Sequence, residues 1–352
     1  MSFTVAVTGL NATDNPAPGV PVVRAIREAC PECRVVGLAY DALDPGNYMH
    51  GIADNVYLMP YPSQGTRVML ERLKAVCVQT PIDVVIPCLD AELPAYLRLE
   101  KALNDLGIHM FLPDEERLKL RSKVRFHELA TKLGIQVPNG LALSDAELIG
   151  KLHRDFSFPV MVKGQFYDAY LAHTPLDVRV FYNRLSARWG LPVVIQEFIA
   201  GEEYDVVAVG DGEGGMVGSV AMRKMQLTDK GKAWGGVTIA YPELDSFCRD
   251  VMSKLKWRGP CELEILQATD DGSLYLIEVN PRFPAWVYLA VGAGRNLPWA
   301  TVRLALGEEV TPMDPAPPGV MFLRHSVDQI CAMTDYQSLT VLGELHRGEA
   351  QS

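Results

Sequence analysis

Short β-rich runs alternate with amphipathic helical stretches through about the first 110 residues, and this alternation restricts the architecture more than any other feature. Phe3–Thr8, Arg34–Ala39, Asn55–Met59, Asp83–Pro87 and His109–Leu112 read as strands, and Val20–Ala29, Thr66–Gln79 and Glu92–Leu106 read as helices. Strands joined by helical crossovers lie parallel, so residues 1–113 are expected to form a parallel α/β sheet with helices on its faces. The turn from Gly9 to Gly19 contains Asn-Pro-Ala-Pro-Gly and lacks a G-x-G-x-x-G fingerprint, which disfavours a nicotinamide-dependent dehydrogenase.

Beyond Pro113 the pattern changes. Asp114–Leu133 is helical, Gln136-Val-Pro-Asn-Gly140 is a turn, and Phe158–Lys163 and Val193–Ile199 are strands. Two hairpins follow, Tyr204–Val209 with Met216–Met222 and Cys261–Gln267 with Leu274–Val279, and the helix Leu244–Trp257 lies between them. A connector bearing Pro312, Pro315, Pro317 and Pro318 leads to a last strand, Met321–Val327. Such an order predicts a separate α+β region. At roughly 150 residues per domain, 352 residues accommodate both.

Lys and Arg number 33 against 43 Asp and Glu, and a net charge of −10 argues against a duplex nucleic-acid partner. It leaves room for a small anionic ligand, since a few local cations make a positive pocket. No apolar run approaches the roughly 20 residues of a membrane span, and the N-terminus enters a strand without a signal-peptide hydrophobic region, so a cytoplasmic protein is expected. Seven cysteines are expected as reduced thiols. Cys30-Pro-Glu-Cys33 has no second pair or nearby histidine to complete a zinc site, and no redox role is expected of it.

The chemistry concentrates in Leu263-Glu264-Ile265 and Leu274-Tyr-Leu-Ile-Glu278-Val-Asn280-Pro281-Arg282. On a strand, Glu278, Asn280 and Arg282 share one face while Ile277 and Val279 turn to the core, and closure at Asp271-Gly272 brings Glu264 near Glu278. Two carboxylates and an amide oxygen suit Mg²⁺ bridging nucleotide phosphates, and Arg282 beyond them suits phosphoryl charge. The plainer alternative is a solvated face of an edge hairpin.

This hairpin resembles the metal carboxylates, amide and substrate arginine of the ATP-grasp superfamily, with the feel of single-domain relatives of carbamoyl-phosphate synthase, biotin carboxylase and amino-acid ligases. Arg121-Ser-Lys123-Val-Arg-Phe126 with Leu133-Gly-Ile-Gln-Val-Pro138, and Phe158-Pro-Val-Met-Val-Lys163, are similar to the segments that carry the family's two phosphate-contacting lysines. Gln196-Glu197-Phe-Ile-Ala-Gly-Glu-Glu203-Tyr-Asp-Val is similar to its adenine hinge. The resemblance implies a Rossmann-like pre-ATP-grasp domain over 1–113, a small nucleotide-binding lobe over 114–200 and a large lobe over 201–352. It implies ATP with its adenine on Gln196, Glu197, Phe198 and Ile199, its ribose on Glu203 and its phosphates on Lys123 and Lys163. Two Mg²⁺ ions, or Mn²⁺, would sit on Glu264, Glu278 and Asn280, with Arg282, Lys163 and Arg223 acting on the reacting groups. The implied activity is an ADP-forming ligase that joins a small-molecule or peptide carboxylate to an amine or thiol through an acyl phosphate. Family habit adds a homodimer. Solvation at the strand end accounts equally well for Arg223 and Lys224.

Two departures stand out. Lys163 is followed by Gly164-Gln-Phe-Tyr-Asp-Ala-Tyr-Leu-Ala-His173, with one glycine and the bulky Tyr167, Asp168 and Tyr170 where the family has a glycine-rich lid, and such residues disfavour left-handed backbone. Phe283, Trp286 and Tyr288 stand where many relatives have glycines, implying a smaller or more apolar acceptor pocket, or core packing. Asp90 and Glu92 either touch a substrate amino group from the first domain or, for Asp90, cap a helix. A nucleotide-binding regulatory module without efficient chemistry, and a bicarbonate-activating enzyme, are the alternatives to the ligase.

Overall fold

The first strand, β1 (Thr4–Thr8), is buried at all 5 of its residues, as a central parallel strand covered on both faces must be. The computed structural model describes residues 3–165, 168–228 and 233–347. After β1 come α1 (Gly19–Ala29), β2 (Arg34–Ala39), β3 (Asn55–Leu58), α2 (Thr66–Gln79), β4 (Val84–Ile86) and α3 (Leu93–Asn104). The middle of the chain supplies α4 (Glu115–Leu118), α5 (Lys123–Lys132), β5 (Gly140–Leu143), β6 (Val160–Lys163), β7 (Ala169–Ala172), α6 (Pro175–Trp189) and β8 (Val193–Glu197). Then follow β9 (Gly201–Asp211), β10 (Met216–Leu227), β11 (Ala233–Thr238), α7 (Pro242–Leu255), β12 (Arg258–Ala268) and β13 (Leu274–Asn280). The chain closes with α8 (Tyr288–Gly292), α9 (Leu297–Ala305), β14 (Met321–Leu323), α10 (Met333–Gln337) and β15 (Glu344–His346).

Three sheets result: β15-β3-β2-β1-β4, β13-β12-β9-β10-β11-β14, and β5-β8-β6-β7. In the first, β1 through β4 are parallel and β15 is antiparallel on β3. The other two sheets are antiparallel throughout.

The structure corrects several expectations. His109–Leu112 makes only a single bridge, from His109 to Val84. The carbonyls of Met110 and Leu112 instead accept from Arg258 Nη2 and Nη1, at 3.2 and 3.0 Å. The helix expected over Asp114–Leu133 breaks at Ser122, whose extended ψ of 108° lets Lys123 begin a new helix. That segment, assigned by sequence to the small lobe, packs on the large one: Leu120, Phe126, Ala130 and Ile135 share a core with Leu244, Cys248, Val251, Leu263 and Leu276. The small lobe's own core holds Leu143, Ile149, Val160, Val162, Leu185 and Ile195.

The chain does not end with the expected strand Met321–Val327 in the large lobe. Only Met321–Leu323 pairs, on β11, and the arm then returns to cover the otherwise open edge of β3. Leu339 and Leu345 join the first sheet's core, which is continuous with Val207, Val209, Trp286 and Leu297 of the large lobe. Cys30 and Cys33 are bonded as a disulfide rather than held as reduced thiols, their Cα atoms being 5.4 Å apart, within the span a bridge needs.

Glu92 ties the first sheet together. Its carboxylate accepts from the N–H groups of Cys88 and Leu89, both at 2.9 Å, and from the hydroxyls of Thr8 and Tyr40. Burial nevertheless pushes its pKa up to about 7 from an ordinary 4.5. Between those values the unfolded chain has lost a proton that the folded protein keeps, so stability falls as pH rises through that window and levels off above it. Urea melts across this range should show a Glu92→Gln variant gaining on the wild type as pH rises. A constant difference would contradict the assignment.

Candidate functional site

Alternation along the large sheet sorts its side chains. On β9, Tyr204, Val206 and Ala208 face the core under α7, while Glu203, Asp205, Val207 and Val209 face the other way. On β12, Cys261, Leu263 and Ile265 enter that α7 core, leaving Glu262 and Glu264 on the second face. On β13 the parity is reset by a bulge: Glu264 pairs with Glu278 but Ile265 pairs with Leu276, so Ile277 is an extra residue. Leu274, Leu276 and Val279 are thereby all in the core, and Glu278 and Asn280 come round beside Glu264. Ile277, expected in the core, lines a cleft instead.

Opposed charges fill this face. Lys123 Nζ lies 3.4 Å from Glu278 Oε2. Asn280 Nδ2 donates to Glu264 Oε1 at 3.1 Å and to Glu262 Oε2 at 3.3 Å. Glu262, 7% exposed, also accepts from Arg282 Nη1 at 3.2 Å and from Trp286 Nε1 at 2.7 Å. Arg282 Nε reaches Asp90 Oδ2 at 3.2 Å. Lys224 Nζ stands 3.1 Å from Asp205 Oδ1 and 3.5 Å from Glu203 Oε2. Lys163, at the end of β6, faces the group from the small lobe, with Glu278, Glu264 and Glu203 attracting its charge.

The electrostatics record crowding. Burial, then the Glu264 carboxylate, raise Glu278, while Lys123 and Lys163 pull it back only in part. Burial, then Glu262, hold Asp205 well above the carboxylate range. Burial disfavours the charged forms of Lys224 and Arg282, yet their carboxylate partners hold both above their ordinary values. Burial and the neighbouring Lys123 lower Lys163. The carboxylates Asp90, Glu203, Asp205, Glu262, Glu264 and Glu278 stand against the cations Lys123, Lys163, Lys224, Arg282 and, on the cleft wall, Arg121. Among the described residues, no three His, Cys, Asp or Glu side chains gather as a metal cage. The donor set still fits a hard cation that takes its remaining ligands from water or phosphate, because it is all oxygen and carries surplus negative charge. The Asn280 NH₂ group is spent on Glu262 and Glu264, leaving Oδ1 as the atom able to ligate.

A cleft opens against this face, lined by Lys123, Phe126, Lys163, Gln196, Ile277 and Glu278 among others. Of the residues expected to act together, Lys123, Lys163, Gln196 and Glu278 meet in it, and Glu203, Glu264, Asn280 and Arg282 join through the charge network. Glu197, Phe198 and Ile199 continue from Gln196 along an outer hinge, where Glu197 N–H donates to Asn139 O at 2.8 Å and Glu197 Oε2 accepts from Asn139 N–H at 3.1 Å. Arg223 is not brought in. It pairs with Glu202 at 3.4 Å and is 53% exposed, on the opposite side of β10 from Lys224. Glu262 and Asp205 were passed over in the sequence, although each lies two residues from a chosen one on the same strand face.

A sequence profile for "ATP-grasp in the biosynthetic pathway with Ter operon" matches residues 191–325. The chain is 24% identical over 228 residues to the carbamoyl phosphate synthase large chain of Vibrio cholerae, which covers 60% of this chain but only 21% of that one. It superposes on N5-carboxyaminoimidazole synthetase from Staphylococcus aureus with TM-score 0.69 at 13% identity, covering 90% of this chain and 81% of the other. For the L-amino acid ligase of Bacillus licheniformis the TM-score is 0.66 at 16% identity, covering 88% and 78%. The fold is the ATP-grasp fold. Beyond Lys163, Gly164 and Asp168 are pinned down. Gly164 N–H donates to Asp168 O at 3.0 Å, and Asp168 Oδ2 accepts from Arg188 Nη1 at 3.0 Å and Trp189 Nε1 at 2.9 Å. Asp168 itself takes left-handed backbone, φ 64°, contrary to expectation, its side-chain bonds holding it there. Tyr170 stacks on Phe181 of α6 with ring centroids 4.8 Å apart; Tyr167 lies outside the described residues. Phe283 is core, Trp286 serves both core and Glu262, and Tyr288 turns away to donate to Glu28 at 2.7 Å. Asp90 caps no helix; the N-cap of α3 is Glu92.

The contrast between neighbours on β10 is testable by thermal and chemical denaturation. Lys224→Met strands buried Asp205 and should cost about 3 kcal/mol. Arg223→Ala removes an exposed pair and should change stability by less than about 1 kcal/mol.

Proposed function

We propose that the chain is an ATP-dependent ligase that joins a carboxylic acid to an amine, or a thiol, through an acyl phosphate, with release of ADP and phosphate. The observation that carries this reading is the meeting of two lysines from different lobes, Lys123 and Lys163, with Glu264, Glu278 and Asn280 across one cleft. The curated relatives act as support only in part, since the chain spans 21% of the first of them. In this reading residues 1–113 serve as the Rossmann-like pre-ATP-grasp domain, the reaction takes place in the cytoplasm, and the protein acts as a homodimer.

Each group has a task. Gln196 and the Glu197–Ile199 hinge receive adenine, and Glu203 receives the ribose. Lys123 and Lys163 hold phosphate oxygens, Glu278 and Glu264 attracting the charge of Lys163 although burial lowers its pKa. Mg²⁺, or Mn²⁺, held by Glu264, Glu278 and Asn280 Oδ1, would neutralise phosphate charge and align the γ-phosphoryl group. The substrate carboxylate attacks that group, ADP leaves, and the amine then displaces phosphate from the acyl carbon. Arg282 stabilises charge at the reacting centre, while Glu262 fixes its orientation through Nη1. Lys224 takes over the role that the sequence suggested for Arg223.

A second reading, a nucleotide-binding module without efficient chemistry, draws on the sequence after Lys163, whose single glycine supplies no run of glycine amides for the phosphates. Phosphate release from ATP and Mg²⁺, measured over a panel of acids including bicarbonate and of amines, distinguishes the two. The ligase reading expects acid-dependent release that falls about 10²–10³-fold in Glu278→Gln. Wild-type turnover in that variant would remove the metal assignment. Calorimetric ATP binding with no ADP formed over the whole panel would favour the module.

A further inference from the structure

Two arginines at one end of the cleft differ in the donors they have left, and the inference drawn from that difference rests on the ligase reading. A guanidinium grips a carboxylate best through two parallel N–H donors, along its Nε–Nη2 edge or its Nη1–Nη2 edge. Arg282 has neither edge whole: Nε donates to Asp90 Oδ2, and Nη1 donates to Glu262 Oε2 and to Phe283 O, all at 3.2 Å. Nη2 is what remains for a ligand. A single donor suits charge that develops at a reacting centre and is ill suited to hold a carboxylate in a fixed plane.

Arg121 is the complement. It lines the cleft with Lys123, Lys163 and Glu278. Its Nη1 donates to the backbone oxygen of Asp90 at 2.8 Å, and among the described residues it makes no further hydrogen bond and no ion pair. The Nε–Nη2 edge is therefore whole. Asp90 touches both arginines, Arg121 through its main chain and Arg282 through its side chain, so the two guanidinium groups stand beside each other. The nearby carboxylates are answered by other cations: Asp90 by Arg282, and Glu278 by Lys123 and Lys163. Arg121 ends the short turn Lys119–Arg121, whose Leu120 is packed into the large-lobe core, so the guanidinium projects from a fixed backbone.

In the ligase reading the nucleotide phosphates are met by Lys123, Lys163 and the metal, which leaves the acid to supply the anion for Arg121. The carboxylate that attacks the γ-phosphoryl group needs an oxygen free to do so. One held by a two-donor fork has both oxygens engaged, so the fork suits a carboxylate that does not react.

We propose that Arg121 is a specificity-determining residue for the acid, its Nε–Nη2 edge holding a second, unreacting carboxylate, so that the substrate is a small dicarboxylic acid activated at its other end. Arg282 Nη2 meets the carboxylate that reacts.

Hydroxylamine serves as the nucleophile in the test: its nitrogen attacks the acyl carbon, phosphate leaves, and the hydroxamate is read by its iron(III) colour. With ATP and Mg²⁺ present, KM and kcat are measured for matched acids, succinate against butyrate and glutarate against valerate, and the KM for ATP is measured beside them. The wild type should favour the dicarboxylate of each pair, because a site built around a charged donor pair rejects the analogue that leaves it unanswered. Arg121→Gln removes the charge and the fork, and should raise KM for the dicarboxylates about 10–100-fold more than for the monocarboxylates. Arg121→Lys keeps the charge without the fork and should fall between. Equal rises for the two members of a pair, a rise confined to the KM of ATP, or a wild type that does not favour the dicarboxylate overturns the Arg121 assignment and leaves the ligase reading standing. No hydroxamate from the wild type with any acid overturns both.

Discussion

A carboxylate taken out of water costs several kcal/mol unless cations or N–H donors answer it, and one face of the large antiparallel sheet carries Asp205, Glu262, Glu264 and Glu278 within a single patch. Everything around that patch responds to it. Lys224 crosses from β10 to Asp205, Arg282 folds back from the end of β13 to Glu262, and α5 begins at Lys123 against Glu278. The response is incomplete, and the raised pKa of Glu278 and Glu262, due first to burial, is its mark. A face with surplus negative charge is poorly suited to be an inert core and well suited to take up cations.

Packing decides which walls of the cleft are fixed. The first sheet and the large lobe share one continuous apolar core, running from Val5 and Val35 to Val209, Trp286 and Leu297. Asp90 is therefore held against Arg282 by the same burial that joins the two regions. The segment bearing Lys123 is fastened to the large lobe through Leu120, Phe126 and Ala130. Lys163 and Gln196 approach from a lobe with its own core, so the distance between the two lysines is the dimension of the cleft least constrained by packing.

Most elements were legible because their signals are local. The strand Arg34–Ala39 and the helix Thr66–Gln79 were read to the residue from apolar period alone. Several of the failures share a cause, which is competition from distant residues. His109–Leu112 has strand-like composition, but Arg258, far away in the chain, takes its carbonyls. The return of the C-terminal arm to β3 answers an open sheet edge that no property of residues 344–346 announces. In the site, the pairing of Glu264 with Glu278 followed from a hairpin and a turn, both short-range features. The face occupied by Arg223, the partnership of Asp90 with Arg282 and the role of Glu262 depend on register between strands and on contacts across domains.

By itself the sequence determined the order of strands and helices from Phe3 to Leu106, the parallel character of the first sheet and the presence of carboxylate, amide and arginine along one hairpin, since these rest on periods of two and 3.6 and on turn residues a few positions apart. Only the tertiary structure decided which of two adjacent charges faces inward, Lys224 and not Arg223, and which carboxylates share Arg282. A single extra residue, Ile277, reverses the parity of β13 and carries Glu278 from the core side to the cleft. Parity of that kind is set by hydrogen bonding to the neighbouring strand, a long-range interaction, and so is absent from the local pattern of the chain.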